Sequence, residues 1–426
     1  MMGAASDTSP NKFRYLALSA ERIMRAEPSR QSVVALGWVS LLTDVSAEMI
    51  YPLLPGFLTK NLGAGPATLG LIEGIAETTA SLTKIGSGVW SDHVRRRKPL
   101  VLLGYGIAAI ARPLVAFAHA WAQVLAIRFT DRVGKGIRTS PRDALLADIV
   151  PPERRGRAFG LQRAMDNAGA LVGPLLAALL LKLALVDERG VFLLAAVPGL
   201  AAILVLWLAV PDTRRHTKAL DAPRGPRQPL PADFWRVIAV FAFFTLANST
   251  DAFLLLRAQD AGVAVWQLPL LWAFFNGVKA ATGVPGGALA DRAGRVPAIV
   301  LGWLVYALSY TGFAFAARPL AVWGLFAFYA LFFGLTEGSE RAFVADLVPE
   351  RLRGRAYGMY YAAVGIAALP ASIVFGILWK RFGPRVPFLT SATVALAAAV
   401  ALWAATAKIR SNPRARESAP SNAIAS

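Results

Sequence analysis

The chain has 426 residues, of which 56% are apolar and 17% charged, and its 45 Lys and Arg against 26 Asp and Glu give a formal charge of +19. Soluble domains average roughly 45–50% apolar and about 25% charged residues, so the composition argues against an ordinary soluble enzyme and for a polytopic α-helical membrane protein. The absence of cysteine and the wide spacing of His93, His119 and His216 exclude disulfides, thiolate nucleophiles and a Cys/His metal centre, and neither a metal nor a cofactor is expected.

Residues 1–30 carry no secretory signal, because their apolar run is short and charged residues follow it; they read as a cytoplasmic tail. Apolar blocks of about 20 residues, enough to cross a hydrocarbon core of ~30 Å, then begin near Ser32, Ala67, Leu100, Trp121, Ala158 and Val191. The first carries Asp44 and Glu48, four apart and therefore on one helical face. The second carries Glu73, Glu77 and Lys84, which at about 100° per residue form one polar stripe. Arg112 lies in the third block, and Arg163 with Asp166 in the fifth. The fourth holds Arg128, Asp131, Arg132 and Lys135 and is so charged that hydropathy alone reads it as a loop.

A polar, Pro- and Gly-containing stretch reads as a cytoplasmic linker (211–232) between a first bundle of six helices (31–210) and a second (233–407). Blocks of the second begin near Phe234, Gln267, Ala298, Leu320, Ala356 and Val386 and contain Asp251, Lys279, Glu337, Glu340 and Arg341. Residues 408–426 read as a second cytoplasmic tail. Alternate loops differ about three- to fourfold in Lys and Arg, and the basic set includes both tails and the linker, which places these in the cytoplasm. The basic charge is thereby accounted for by topology, so no nucleic-acid partner is expected.

The two bundles repeat. Asp92, in Gly88-Val-Trp-Ser-Asp92, recurs as Asp291 in Gly287-Ala-Leu-Ala-Asp291, a displacement of 199 (291 − 92). Asp148-Ile-Val-Pro151 with Arg155-Gly-Arg-Ala-Phe-Gly160 recurs as Asp346-Leu-Val-Pro349 with Arg353-Gly-Arg-Ala-Tyr-Gly358, a displacement of 198 (346 − 148). At 198, the charged positions 128, 131, 132 and 135 fall on Phe326, Tyr329, Ala330 and Phe333 of an apolar helix. The fourth block is therefore read as a helix whose charges serve a task that the fold itself does not require. At about 2.5–3.5 kcal/mol per centrally placed charge, intramembrane ions on this scale cannot face lipid and must face protein or water.

These residues resemble the major facilitator superfamily over roughly residues 32–406. The family's loop signature G-x-x-x-D-R-x-G-R-R is matched by Gly88 and Asp92, with His93 and Arg95 departing from it, and more closely by Gly287, Asp291, Arg292, Gly294 and Arg295. Arg132, Lys135 and Gly136 resemble its R-x-x-q-G motif. The antiporter signature of the fifth helix falls on Gly160, Gly169, Gly173 and Pro174, with Ala177 and Ala178 in place of its last glycine pair. The resemblance implies an all-α fold of twelve transmembrane helices in two pseudo-twofold-related bundles, and proton-driven export. An Asp flanked by arginines at a helix end can ion-pair across to a neighbouring helix, so Gly88, Asp92 and Arg96, with Gly287, Asp291, Arg292 and Arg295, are candidates for a conformational latch.

For the substrate and proton path the candidates are Asp44, Glu48, Glu73, Glu77, Arg128, Asp131, Arg132, Lys135, Asp251, Glu337 and Glu340, with Asp44 and Glu48 favoured as proton carriers and Arg128, Arg132 or Lys84 as switching partners. No Ser/His/Asp constellation or phosphate loop is present, so no enzymatic activity is expected. The expected function is alternating-access export of a small organic solute or drug against protons, by a monomer in the cell membrane, the inner one if the source is bacterial. A proton-linked importer or uniporter, and a sensor that has lost transport, are the alternatives.

Overall fold

A computed structural model describes residues 31–94, 96–151, 154–212 and 229–410. Twelve long helical rods follow one another, and no strand occurs among the described residues. The first bundle comprises α1 (Gln31–Asn61), α2 (Pro66–His93), α3 (Lys98–Phe117), α4 (Trp121–Ile149), α5 (Arg155–Lys182) and α6 (Glu188–Ala209). The second comprises α7 (Ala232–Asp260), α8 (Gln267–Ala293), α9 (Arg295–Phe315), α10 (Pro319–Asp346), α11 (Arg353–Phe382) and α12 (Arg385–Arg410). Every expected start lies within a few residues of an observed one. The last helix runs three residues past the expected boundary at 407, while the tails at 1–30 and 411–426 and linker residues 213–228 lie outside the described residues.

Nine rods are long and apolar enough to cross a bilayer by composition; α2, α4 and α8 are helices of spanning length that fail this measure among the described residues. They are helical all the same because their neighbours, not lipid, receive their charges. Short connections reverse direction after each rod, so residues 31, 212, 229 and 410 lie on one face, here termed the tail face. Glycines permit some of these reversals: Gly63 and Gly262, 199 apart in equivalent loops, have φ of +62° and +90°, and Gly294 between α8 and α9 has +93°, a region that favours glycine.

The bundles meet at one end and part at the other. Along α2 and α11, a Cβ on Gly376 would lie 2.5 Å from the Pro66 carbonyl oxygen and one on Gly70 2.1 Å from that of Ser372, whereas Gly86, Gly354 and Gly358 near the tail face have nothing within 4 Å. Between α5 and α8, Asn276 donates to the Ala170 carbonyl at 3.4 Å and Lys182 lies over the Trp266 ring, but Gly160, Gly283 and Gly287 face open space. One apolar core including Phe57, Phe192 and Phe253 joins both bundles. A second core, with Leu36, Tyr105, Leu145 and Leu206, belongs to the first bundle alone. The interior is consequently sealed opposite the tails and open toward them.

Candidate functional site: a cavity between two unlike bundles

Each bundle hides its polar groups differently. In the first, Arg128 of α4 donates to both Glu73 oxygens of α2, with three contacts of 2.7–3.0 Å, and lies 3.9 Å from Asp131. Asp131 accepts from Arg112 of α3 at 2.8 Å, and Arg112 donates to the Thr43 carbonyl of α1 at 2.9 Å. All four ionic side chains are buried. A buried ion is tolerable only when paired and hydrogen-bonded, and this chain satisfies each ion while tying four helices together. The sequence grouping of Glu73, Glu77 and Lys84 as one stripe needs correction: Glu73 turns into its own bundle, Glu77 lines the central cavity, and Lys84 lies 4.4 Å over the Tyr361 ring of the other bundle. Arg128, held by Glu73, is not a partner of Asp44 or Glu48 here.

Beside this chain is a small polar pocket lined by Asp44, Glu48, Arg132, Lys135 and Arg138, among others. Its most informative contact leaves the bundle. Glu48 accepts from the Trp272 indole N–H of α8 at 2.7 Å, the Tyr51 and Trp272 rings lie 5.1 Å apart, and the Tyr51 hydroxyl is 3.5 Å from Thr250 Oγ1. These contacts belong to the seal opposite the tails. The same seal uses the break in α7, where Asn248 to Asp251 leave the helix and the Thr250 amide donates to Ser372 of α11.

In the second bundle the acids meet neutral donors. Asp251 accepts from Tyr329 at 2.7 Å, and Glu340 accepts from Trp303 at 3.3 Å and Tyr360 at 2.8 Å. The aromatic residues themselves pack face and edge, with Phe244 stacked 4.3 Å from Trp303 and Tyr306 4.0 Å from Tyr310. Glu337 is the exception: it accepts from Arg163 of the first bundle at 2.5 Å and Arg341 at 2.8 Å, and lies 3.5 Å from Lys279.

Between the bundles lies a cavity of about 370 Å³, bordered by Glu77 on one side and by Lys279, Glu337, Glu340, Arg341 and an aromatic wall on the other. Of the expected path residues, Glu77, Glu337 and Glu340 line it; Asp44, Glu48, Arg132 and Lys135 line the small polar pocket together with Arg128 and Asp131; Glu73 is buried in its bundle, and the half-buried Asp251 is held by Tyr329. The aromatic lining was missed by a reading centred on charge: Trp303, Phe332, Phe333, Tyr360 and Tyr361 come from three helices and share no periodicity along any one of them.

The latch positions divide. The Asp92 side chain lies outside the described residues, and Arg96 is exposed and pairs with Asp212 at 3.3 Å. Gly88 approaches Ser140 of α4, Gly287 is half-buried with nothing within 4 Å of its Cβ position, and Asp291 and Arg292 are exposed. Arg295 is paired at 2.7 Å with Asp346, and Arg97 with Asp148, 198 positions earlier in both members. That duplicated pair was detectable from the repeat, which marked both aspartates but not their partners. In α5, Gly169 and Gly173 lie against α1, where a Cβ would come within 2.5 Å of the Leu41 and 2.6 Å of the Val45 carbonyl oxygen; Pro174 lies inside the helix, and Gly160 touches nothing. The small residues of this signature therefore act in close packing.

Comparison with known proteins agrees with this architecture. The family model of the Major Facilitator Superfamily matches residues 36–339 and 258–425. An uncharacterised MFS-type transporter of Methanocaldococcus jannaschii is 33% identical over 372 residues, covering 86% of this chain and 92% of that protein. A protein of Cupriavidus pinatubonensis named "Probable 4-methylmuconolactone transporter" is 27% identical, covering 85% and 86%. Among solved structures, an inward-facing, occupied bacterial homologue of the human lysosomal transporter Spinster superposes with a TM-score of 0.70 at 17% identity, covering 88% and 96%. The chain belongs to the major facilitator superfamily and is an integral, multi-pass membrane protein.

Proposed function

Starting from that membership, we propose that the protein is a proton-coupled secondary transporter that moves a small organic solute out of the cell, as a monomer, by rocking its two bundles about the central cavity. The observation that carries this reading is the cavity itself, bordered by ionisable groups of both bundles, sealed opposite the tails and open toward them. The positive-inside distribution makes the open face cytoplasmic. Solute enters there, the tail face closes, and the seal around Glu48, Tyr51 and Trp272 opens.

Glu48 suits the coupling role because its carboxyl is engaged across the bundles by Trp272, so a change in its protonation acts directly on the seal. Asp44, in the same pocket beside Arg132 and Lys135, is the second candidate. Asp92 and Asp291 would act as latches when the tail face closes, and the exposure of Asp291 fits an open tail face. The relative named for 4-methylmuconolactone supports a small organic solute, and the α5 signature supports export.

Import with protons is the second reading, because the close packing of Gly169 and Gly173 on α1 serves either direction equally. Reconstitution into vesicles with an imposed pH gradient separates them. Export by exchange predicts solute and proton fluxes of opposite sense; fluxes in one sense establish import, and no proton flux with any transported solute removes the coupling.

A further inference from the structure

The central cavity is lined by Glu77, Glu337 and Glu340 and by Lys279 and Arg341, and the acids in and around it are held differently from its cations. Glu48, Asp251 and Glu340 each accept from neutral donors of the protein, and for Glu340 both oxygens are occupied, by Trp303 and Tyr360. Glu73 and Asp131 are committed to Arg128 and Arg112. The acids left for a solute are Glu77 and Glu337. Glu77 lies in the field of Lys84, Arg128, Arg132 and Lys135, and Glu337 alone serves Arg163, Lys279 and Arg341.

The cations are correspondingly under-served. Two guanidinium groups and one ammonium bring far more N–H donors than a single carboxylate accepts, and their side chains remain 55%, 44% and 31% accessible for Arg163, Arg341 and Lys279. Lys279 and Arg341 border both the main cavity and the smaller recess that adjoins it on the Arg163 side. Beside these donors lies an apolar surface: Lys279 lies 4.1 Å over Phe333, and the half-buried Tyr361 and Val364 continue it, with Phe244, Trp303, Phe332 and Tyr360 buried behind them. A solute matched to this surface carries an oxyanion at one end and a flat, apolar body at the other.

We infer that the solute is an amphipathic organic monoanion, a carboxylate on an aromatic or alicyclic ring, whose carboxylate is held by Lys279 and Arg341 and whose ring lies on the surface formed by Phe333 and Tyr361. Glu337 occupies the cations in the empty cavity, and the solute carboxylate takes over its contacts to Arg341 and Lys279. Glu337 then keeps Arg163, its partner across the bundles, as its remaining cation. The inference rests on the transporter reading for its meaning, but the binding it asserts is measurable without transport.

The test uses the purified full-length protein in lipid nanodiscs, with benzoate, cyclohexanecarboxylate, benzyl alcohol and benzylammonium titrated to about 10 mM by calorimetry, a range that captures affinities as weak as ~1 mM. The two carboxylates should bind saturably and at least about tenfold tighter than benzylammonium, the scale set by one charge-assisted hydrogen bond. Arg341→Gln and Lys279→Gln should each weaken benzoate about tenfold or more, Arg341→Lys should recover part of the loss, and Arg236→Gln, exposed near the start of α7 away from the cavity, should leave it nearly unchanged. Circular dichroism and gel filtration confirm that each variant is folded. Equal or tighter binding of benzylammonium, no saturable binding of either carboxylate, or undiminished benzoate binding by folded Arg341→Gln and Lys279→Gln proteins overturns the inference. Carboxylate binding without flux in vesicles would leave the site standing and remove the transporter reading; flux of cations alone would do the reverse.

Discussion

The fourth helix of each bundle occupies the same place in the repeat, yet α4 presents Arg128, Asp131, Arg132 and Lys135 where α10 presents Phe326, Tyr329, Ala330 and Phe333. Around α4 the interior is held by ion pairs that link four helices; around α10 it is held by stacked rings and by tyrosine and tryptophan hydrogen bonds to isolated acids. The backbone architecture is thus indifferent to how its centre is filled. What differs is the consequence of damage, because an ionic centre fails through an uncompensated charge and an aromatic centre through a cavity. The division also suits a machine with a solute wall on one side and a charged network on the other.

The comparison breaks most directly at Arg128. Arg128→Ala strands Glu73, while Asp131 keeps Arg112, and a loss of about 3–5 kcal/mol is expected, read as a steep fall in the melting temperature of the detergent-solubilised protein. Replacing the pair together, Glu73→Gln with Arg128→Met, should restore much of that loss, since no lone charge remains. If the double variant is as unstable as the single one, the ionic account of the first bundle is wrong. On the aromatic side, Phe326→Ala should cost about 3–5 kcal/mol through the cavity it leaves, and no second substitution of a charge should rescue it.

A smaller effect tests the packing role of α5. Gly173→Ala places a methyl group against the Val45 carbonyl and should cost about 1–3 kcal/mol by overpacking, whereas Gly160→Ala, facing open space, should be neutral in the same melting assay. Tyr329→Phe, which removes the hydrogen bond to Asp251, should cost about 1–3 kcal/mol by leaving a buried acceptor unsatisfied. The smallest change in stability is expected for the exposed Asp291→Asn: melting should be unaltered, and only the turnover rate in vesicles should fall, with solute affinity retained. Wild-type turnover would end the latch role.

Much of the fold was legible because hydropathy, turn chemistry and the 198–199 displacement are properties of short stretches of chain. Even α4, disguised by charge, was recovered through its counterpart α10. The site was legible in part. Helical periodicity showed that Glu73 and Glu77 project to one side, but a single turn of difference in height sends one into the bundle and the other to the cavity. Periodicity also gave the second bundle's aromatic residues no standing, since a ring suits lipid, core and cavity alike. The α5 glycines illustrate the converse: a signature associated with export turned out, at Gly169 and Gly173, to lie against the α1 backbone.

By itself the amino-acid sequence determined that the chain crosses a membrane repeatedly in two related sets of helices and that a definite group of ions must be kept from lipid, because transfer free energy and helical pitch act locally. Only the tertiary structure decided that Glu73 takes Arg128, that Glu48 reaches Trp272 across the bundles, that Glu337 gathers three cations, and that the cavity opens toward the tails. Those outcomes depend on the rotation and tilt of helices distant in the chain, and an ångström or two of displacement changes which donor meets which acceptor.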